Sequence, residues 1–401
     1  MEILRQLYDM TAFGELAESP GSILMIIIGL VILYLGVQKR FEPLLLVPIA
    51  FGILLGNFPG GNMSVITAEM APGIEHLTMM EIAKQYGIMN MLYYTLIKTG
   101  LLPPLIFLGV GAMTDFGPML RNLKLAFFGA AAQLGIFTVM IGAVLIGFPI
   151  KEAGALSIIG GADGPTAIYT AIILAPHMLG PIAIAAYSYM ALVPIIIPFV
   201  VRFSTSEKEL KINMKQQDVM FPNKKEIQDL RTAKIIFPVF LGIVISLLVP
   251  SSVPLLGMLL FGNLIKEIGS DTNRLIYAAT TTIMNTSTIF LGLCIGATMT
   301  ASTFLNSQTL LIIVGGFLAF CISVLGGIFA CKVYNVFSKK KINPLIGATG
   351  LSAVPMASRV ANEIALKYDR TNHILQYAMS SNISGVIGSA VAAGVLISLL
   401  S

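Results

Sequence analysis

Charged side chains are scarce in this sequence. Asp, Glu, Lys and Arg together make up 11% of its 401 residues, whereas soluble globular domains carry about 25%. Apolar residues, at 56%, gather into stretches that approach or exceed the ~17–25 residues needed to cross a bilayer core, and no long polar domain separates them. The composition therefore excludes a soluble globular protein and predicts an all-α, multi-pass (polytopic) membrane protein.

The sequence also lacks the marks of a disulfide framework, a zinc site or a secretory signal. Cys294, Cys321 and Cys331 lie in or beside apolar segments, without a C-x-x-C pair and without a histidine at ligand spacing. This pattern favours neither structural disulfides nor zinc. Residues 1–20 lack the basic start and adjoining apolar core of a signal peptide, so we expect the N-terminus to be retained.

Glycine and proline, by contrast, are abundant, with 38 and 20 residues. At membrane depth they are tolerated where broken backbone is buried in protein or lines a wet cavity. Residues 154–174 and 342–360 are apolar but interrupted by Gly, Pro and polar side chains, which predicts two re-entrant or broken helices, as in transporters. The remaining apolar runs predict helices over 22–37, 43–57, 86–115 (interrupted near Gly100 and Pro103–Pro104), 124–148, 180–203, 234–249, 253–265, 274–300, 309–335 and 374–400.

Basic residues predict the orientation, because cytoplasmic loops are enriched in Lys and Arg. That enrichment accounts for the formal net charge of +5, and no nucleic-acid partner is needed to explain it. We predict a cytoplasmic loop over 204–233 between two membrane halves, 1–203 and 234–401. Both termini then lie outside, and Lys151, which falls on the outer side, is a discrepancy. The basic residues used are Lys39, Arg40, Arg121, Lys124, Lys208, Lys211, Lys215, Lys224, Lys225, Arg231, Lys234, Lys339, Lys340 and Lys341.

Three matches between the halves predict an internal repeat. IFLG begins at Ile106 and again 183 residues later, the following Gly-Ala pair recurs at an offset of 185, and GADGPTA at Gly161 matches GATGLSA at an offset of 186. Under the predicted orientation the two copies run in opposite directions through the membrane. Inverted repeats with broken helices place ligand sites near the membrane midplane, where we expect the two breaks to meet.

Asp163, in GGADGPT of the first broken segment, is the strongest candidate for chemistry. A carboxylate at membrane depth costs about 2.5–3.5 kcal/mol and requires a compensating cation, proton or water. A structural alternative is an N-cap for the helix that begins at Gly164. The two interpretations are compatible, because an ionised cap with spare lone pairs can also bind Na⁺ alongside other oxygens.

The second broken segment offers neutral oxygens and one cation. Asn343, Thr349 and Ser352 could face Asp163 and form a Na⁺ site with a net charge near zero, although turn chemistry and helix packing are equally simple explanations. Arg359 at the inner end either anchors the topology or holds a carboxylate. Other polar residues within apolar helices are Tyr187, Tyr189 and Asn382.

Four stretches together resemble a known family. They are GGADGPTAIYTA at 160–171, AYSYMALVP at 186–194, NPLIGATGLSAVPMASRVAN at 343–362 and NISGVIGSAVAAG at 382–394. They are similar to the β subunit of the sodium-ion-translocating biotin-dependent decarboxylases, which act on oxaloacetate, methylmalonyl-CoA or glutaconyl-CoA. One departure is Ser380-Ser381, where the family's Gly-Pro is expected before Asn382.

The resemblance implies a subunit of the inner (cytoplasmic) membrane that decarboxylates carboxybiotin, consumes a proton and exports Na⁺. Carboxybiotin would arrive on a biotin carrier subunit, with a carboxyltransferase α subunit, a small membrane γ/δ subunit and further copies of this chain as partners. No biotin would be attached here, because Met214-Lys215-Gln216 differs from the carrier's Met-Lys-Met. The resemblance assigns catalysis to Asp163, Tyr189 and Arg359, with Arg359 toward carboxybiotin, and the Na⁺ site to Asp163, Asn343, Gly347, Ser352 and Asn382.

Two other functions fit the composition and topology. A secondary Na⁺-coupled solute carrier of the same architecture would share the broken helices, and a non-catalytic membrane scaffold would share the apolar segments. Carboxybiotin-dependent proton uptake separates the decarboxylase from the carrier, and the intramembrane Asp163 weighs against the scaffold. The sequence does not identify the carboxylic acid, because a separate carboxyltransferase subunit selects it.

Overall fold

The computed structural model describes residues 11–12, 14–15, 19–40, 42–68, 70–222 and 229–401. Across these ranges the secondary structure is helical, without a strand, as the composition predicts. Lys224 and Lys225, which contributed to the predicted cytoplasmic loop, lie outside the described residues, as does most of the stretch searched for a signal peptide.

Sixteen helices carry the fold in the part of the chain just defined. The first half contains α1 Pro20–Val37, α2 Pro43–Asn57, α3 Ile88–Ile97, α4 Leu102–Met113, α5 Leu123–Ile146, α6 Ile150–Ser157, α7 Gly164–Leu174, α8 Leu179–Ala191 and α9 Val193–Ser204. The second contains α10 Leu230–Leu248, α11 Val253–Ile268, α12 Ser270–Thr298, α13 Ser307–Phe337, α14 Pro344–Ala348, α15 Met356–Tyr368 and α16 Leu375–Leu400. Seven helical stretches among the described residues are long and apolar enough to cross a membrane alone, which makes the protein multi-pass.

Two bends divide predicted helices. α3 and α4 meet at 61°, at the interruption predicted near Gly100, whose φ of 71° is left-handed. The predicted continuous helix over 180–203 is wrong, because the chain bends by 67° just before α9. Pro194 lies in the first turn of α9, where a proline lacks the N–H needed to continue the preceding helix.

The two halves pack on each other through exchanged pairs of helices. α2 packs on α12 of the other half, and α11 packs on α4 in the same way. Glycines allow both contacts: a Cβ on Gly52 would lie 2.3 Å from the Leu293 carbonyl oxygen, and one on Gly262 would lie 2.1 Å from that of Leu108. The order of helices and these matched contacts support the internal repeat.

The two broken segments lie between a second exchanged set of helices. α5 packs on α16, and α13 packs on α8. The first broken segment consists of α6, a 3₁₀ turn over Ile158–Gly161 and α7, and the second consists of α14 and α15 separated by residues 349–355. Both breaks therefore fall inside the predicted ranges 154–174 and 342–360, and the backbone N–H of Ser352 donates to the Gly161 carbonyl at 3.1 Å. The breaks meet, as predicted.

Candidate functional site

Asp163 lies at the first break, directly before α7. Ala162 adopts a left-handed φ of 56°, which ends the 3₁₀ turn. One carboxylate oxygen of Asp163 accepts the Thr166 backbone N–H at 3.1 Å, so Asp163 is the N-cap of α7. The side chain is only 4% exposed. The cap interpretation is confirmed, and it leaves the second oxygen for another partner.

That second oxygen accepts from the first of two linked serine hydroxyls, which connect the first break, α16 and the second break. Ser389 of α16 donates to Asp163 Oδ2 at 2.7 Å. Ser352 of the second break donates in turn to Ser389 Oγ at 2.7 Å. These oxygens are the neutral partners expected opposite the carboxylate, but sequence reasoning missed Ser389. The signal was present, since Ser389 follows Asn382 by seven residues and therefore lies two turns further along the same helix face.

Asn382 lies at the second break without touching Asp163. Its side-chain oxygen accepts from Ser358 at 3.1 Å, and its amide donates to the Leu351 carbonyl. It is fully buried. In this arrangement Asn382 fixes the backbone next to Ser352, and its role as a Na⁺ ligand stays a prediction.

Among the described residues, Asn343 and Gly347 take no part in the hydrogen bonds that join Asp163, Ser389 and Ser352. Asn343 caps α14 through Leu345 N–H at 3.0 Å, and its amide donates to the carbonyls of Leu210 and Ile212 at 2.9 and 3.0 Å. It therefore ties the second broken segment to the connection between the halves. A Cβ on Gly347 would lie 2.1 Å from the Gly327 carbonyl oxygen, so this glycine allows α14 to approach α13. Their assignment to the Na⁺ site stays a prediction.

The two tyrosines of α8 face different surroundings. Tyr189 donates to the Ile313 carbonyl of α13, and its ring packs beside Phe317 with centroids 6.2 Å apart. Tyr187 instead lines a cavity of about 170 Å³ together with Asp163 and Ser352. The structure therefore brings Tyr187 to the carboxylate, whereas the sequence reasoning chose Tyr189 for proton delivery.

Arg359 projects from the first turn of α15, just after the second break. The residue is exposed, and its guanidinium makes no hydrogen bond or ion pair with the residues that the structure describes. All five of its N–H donors are therefore free for a ligand.

The donor chemistry around Asp163 suits a hard monovalent cation. Across the described residues, no group of three or more His, Cys, Asp or Glu side chains could hold a transition metal. The hydrogen bonds around Asp163 join its own carboxylate to several hydroxyl and carbonyl oxygens. Oxygen ligands are what hard cations prefer, and a single carboxylate matches a single positive charge.

Fold and site together define a multi-pass α-helical membrane protein with two broken helices that meet at one buried carboxylate. A family model described as the Na⁺-transporting oxaloacetate decarboxylase beta subunit matches residues 21–400. The chain is 47% identical to the methylmalonyl-CoA decarboxylase subunit beta of Propionigenium modestum, over 100% of this chain and 99% of that protein. It is 42% identical to the oxaloacetate decarboxylase beta chain of Klebsiella pneumoniae, over 99% of both chains. The chain belongs to the family of Na⁺-transporting decarboxylase beta subunits, as its motifs predict.

The contact between the second break and α16 allows a cross-linking test. Because the hydroxyl oxygens of Ser352 and Ser389 are 2.7 Å apart, the double variant Ser352→Cys/Ser389→Cys should form a disulfide in nearly all molecules on mild oxidation, in a background where the three native cysteines are replaced. Gel mobility after cleavage between the two positions measures it. Each single variant is the control, and failure to cross-link in membranes under any Na⁺ concentration would contradict this packing.

Proposed function

We propose that this chain decarboxylates carboxybiotin and uses the free energy released to export Na⁺, with Asp163 as the carboxylate that binds the ion. The observation that carries the proposal is the buried carboxylate at the meeting point of the two breaks, in a chain that matches the family over residues 21–400. It is further supported by the family, whose model is described as a Na⁺-transporting decarboxylase beta subunit, and by the decarboxylase beta subunits among the relatives.

The coupling follows from the charge balance at Asp163. An unpaired carboxylate at membrane depth costs about 2.5–3.5 kcal/mol, and one Na⁺ cancels its charge while Ser389, Ser352 and nearby carbonyls replace part of the ion's hydration shell. An occupied site is close to neutral, so it can pass through a low-dielectric region at little cost. An empty, ionised site cannot do so. A proton on Asp163 can complete the return step.

The chemical step belongs at the cytoplasmic mouth, where we place Arg359. In carboxybiotin the bond between the ring nitrogen and the carboxyl carbon breaks, CO₂ leaves, and the bonding electrons stay on the nitrogen, which takes up a proton. The guanidinium of Arg359 can hold the carboxylate through two parallel hydrogen bonds until that proton arrives. In our proposal Tyr189 remains a candidate for the proton's route.

The proposed assembly is the one that the resemblance to the family implies. A biotin carrier subunit supplies carboxybiotin, a carboxyltransferase α subunit loads it, and a small membrane γ/δ subunit and further copies of this chain complete the complex. The acid is oxaloacetate or methylmalonyl-CoA by analogy with the relatives, both of which occur at similar identity. Within the membrane, 154–174 and 342–360 enter from opposite sides and meet near the midplane, and 204–233 faces the cytoplasm.

Vesicles with the reconstituted complex test the function directly. With the cytoplasmic face outward, added carboxybiotin should drive uptake of radioactive Na⁺. It should also alkalinise the vesicle lumen, which corresponds to the cell exterior from which the proton is consumed. Vesicles with the complex but without carboxybiotin are the control. Na⁺ uptake that ignores carboxybiotin and follows an imposed solute gradient would instead identify a secondary Na⁺-coupled carrier.

A further inference from the structure

The cavity at Asp163 contains a second carboxylate that no motif singled out. Its wall includes the buried Asp163 and Tyr187, Glu42 at the N-terminus of α2, and apolar side chains from α4 such as Phe107 and Val110. Glu42 is half-buried. Its carboxylate makes no hydrogen bond or ion pair with any residue in the described part of the chain.

An independent observation at the inner end points to a ligand. Tyr187 is only 2% exposed, and its hydroxyl has no hydrogen-bond partner among the described residues. The ring is held against the backbone of Gly164, where an added Cβ would lie 2.1 Å from the ring's Cε1. A buried hydroxyl without a partner is rare, and a bound ion or water molecule is one group that would satisfy it.

We propose that Glu42 and Tyr187 form the route by which Na⁺ reaches Asp163, with Glu42 attracting the ion at the cavity's mouth and the Tyr187 hydroxyl receiving it beside the carboxylate. This inference rests on the proposed function, because it takes Asp163 as the carboxylate that binds the transported ion. Under the predicted orientation the mouth is cytoplasmic, since Lys39 and Arg40 adjoin Glu42.

Electrostatics gives the two residues different effects. A carboxylate in a cleft with apolar walls concentrates cations before they bind, whereas Lys39 and Arg40 are exposed and more strongly screened by salt. The phenol oxygen acts at short range, as a ligand that replaces water on the ion. The effect of removing Glu42's charge on Na⁺ binding should therefore depend on ionic strength. The effect of removing the Tyr187 hydroxyl should not.

The first experiment measures the Na⁺ concentration that half-saturates carboxybiotin decarboxylation by the intact complex. Glu42→Gln should raise it by about threefold to tenfold at low ionic strength, with a smaller effect near 0.1 M salt, where the Debye length is about 10 Å. The rate at saturating Na⁺ should be unchanged. The half-saturating Na⁺ concentration of Glu42→Asp should stay close to that of the wild type. Glu42→Lys should raise this concentration more than Glu42→Gln does.

A matched control is Glu207, an exposed carboxylate that, among the described residues, pairs with Lys211 alone at 3.8 Å and does not line the cavity. Glu207→Gln should leave the half-saturating Na⁺ concentration unchanged at every ionic strength. Wild-type values for both Glu42→Gln and Glu42→Lys would overturn the role of Glu42, and so would an equal effect of Glu207→Gln.

The second experiment removes one oxygen. Tyr187→Phe should raise the half-saturating Na⁺ concentration by about tenfold, equivalent to 1.4 kcal/mol, at low and high salt alike, and should change the preference for Na⁺ over Li⁺. Tyr334→Phe, on α13 beside Phe128, is the control and should have no effect. An unchanged half-saturation and an unchanged ion preference in Tyr187→Phe would refute its role.

Asp163→Asn separates this proposal from the function it rests on. If Asp163→Asn retains Na⁺-dependent turnover, the proposed function fails. If Asp163→Asn is inactive while the Glu42 and Tyr187 variants match wild type, the function stands and only the route is refuted.

Discussion

Asp163→Asn should abolish both Na⁺ transport and the stimulation of decarboxylation by Na⁺. The amide keeps the shape of the side chain and remains a good N-cap, so α7 should still begin at Gly164. What disappears is the unit charge that offsets dehydration of the ion, because the remaining neutral oxygens supply dipoles but no charge. Radioactive Na⁺ uptake and carboxybiotin turnover in reconstituted vesicles measure both losses.

The chain contains a matched control for this substitution. Asp229 is also an N-cap, of α10, and accepts the Thr232 N–H at 3.0 Å, but it lies at an exposed helix end. Asp229→Asn therefore makes the same chemical change at the same kind of position without altering the buried site, and pumping should stay near the wild-type rate. If Asp163→Asn folds normally and also pumps at that rate, Asp163 is only a cap.

The breaks could be located from the sequence because they violate helical rules. Glycine, proline and polar residues within apolar stretches indicate backbone that cannot continue a helix, and Asp163 followed by Gly164-Pro165 is a helix start. The cavity end at Glu42 could not be found in this way. Glu42 lines the same cavity as Asp163 only because α2 and α4 border the same space, and such distant pairing leaves no local pattern.

Which side of a helix faces the site also escaped prediction. Tyr187 and Tyr189 are two residues apart, which places them roughly 200° apart around α8. Either phenol fits an apolar helix equally well, and only the packing of α13 against α8 decides that Tyr189 meets the Ile313 carbonyl while Tyr187 faces Asp163. The partners of Asn343 were also out of reach of sequence reasoning, because they belong to the connection between the halves, and its assignment to the Na⁺ site stays a prediction.

Arg359→Lys should lower carboxybiotin turnover by about 10- to 100-fold, since a charge-assisted hydrogen bond is worth about 1.5–3 kcal/mol. Lysine keeps the positive charge but loses the planar pair of donors that holds a carboxylate. Arg359 is exposed and makes no side-chain hydrogen bond or ion pair among the described residues, so the substitution breaks no such bond and should leave the thermal stability unchanged. Turnover of free carboxybiotin by the complex at saturating Na⁺ measures the effect.

A measurement of Na⁺ binding shows whether a loss of turnover in Arg359→Lys reflects the substrate or the ion pathway. If Arg359 holds the substrate, Arg359→Lys should leave Na⁺ binding to the detergent-solubilised subunit nearly unchanged. The reason is that the guanidinium takes no part in the hydrogen bonds around Asp163. Arg370, another exposed arginine on the loop after α15, supplies the control, and Arg370→Lys should alter neither turnover nor binding. A variant that binds Na⁺ weakly but turns over carboxybiotin at the normal rate when Na⁺ saturates would assign Arg359 to the ion pathway or to the topology. The substrate's carboxylate would then need another partner on the cytoplasmic side.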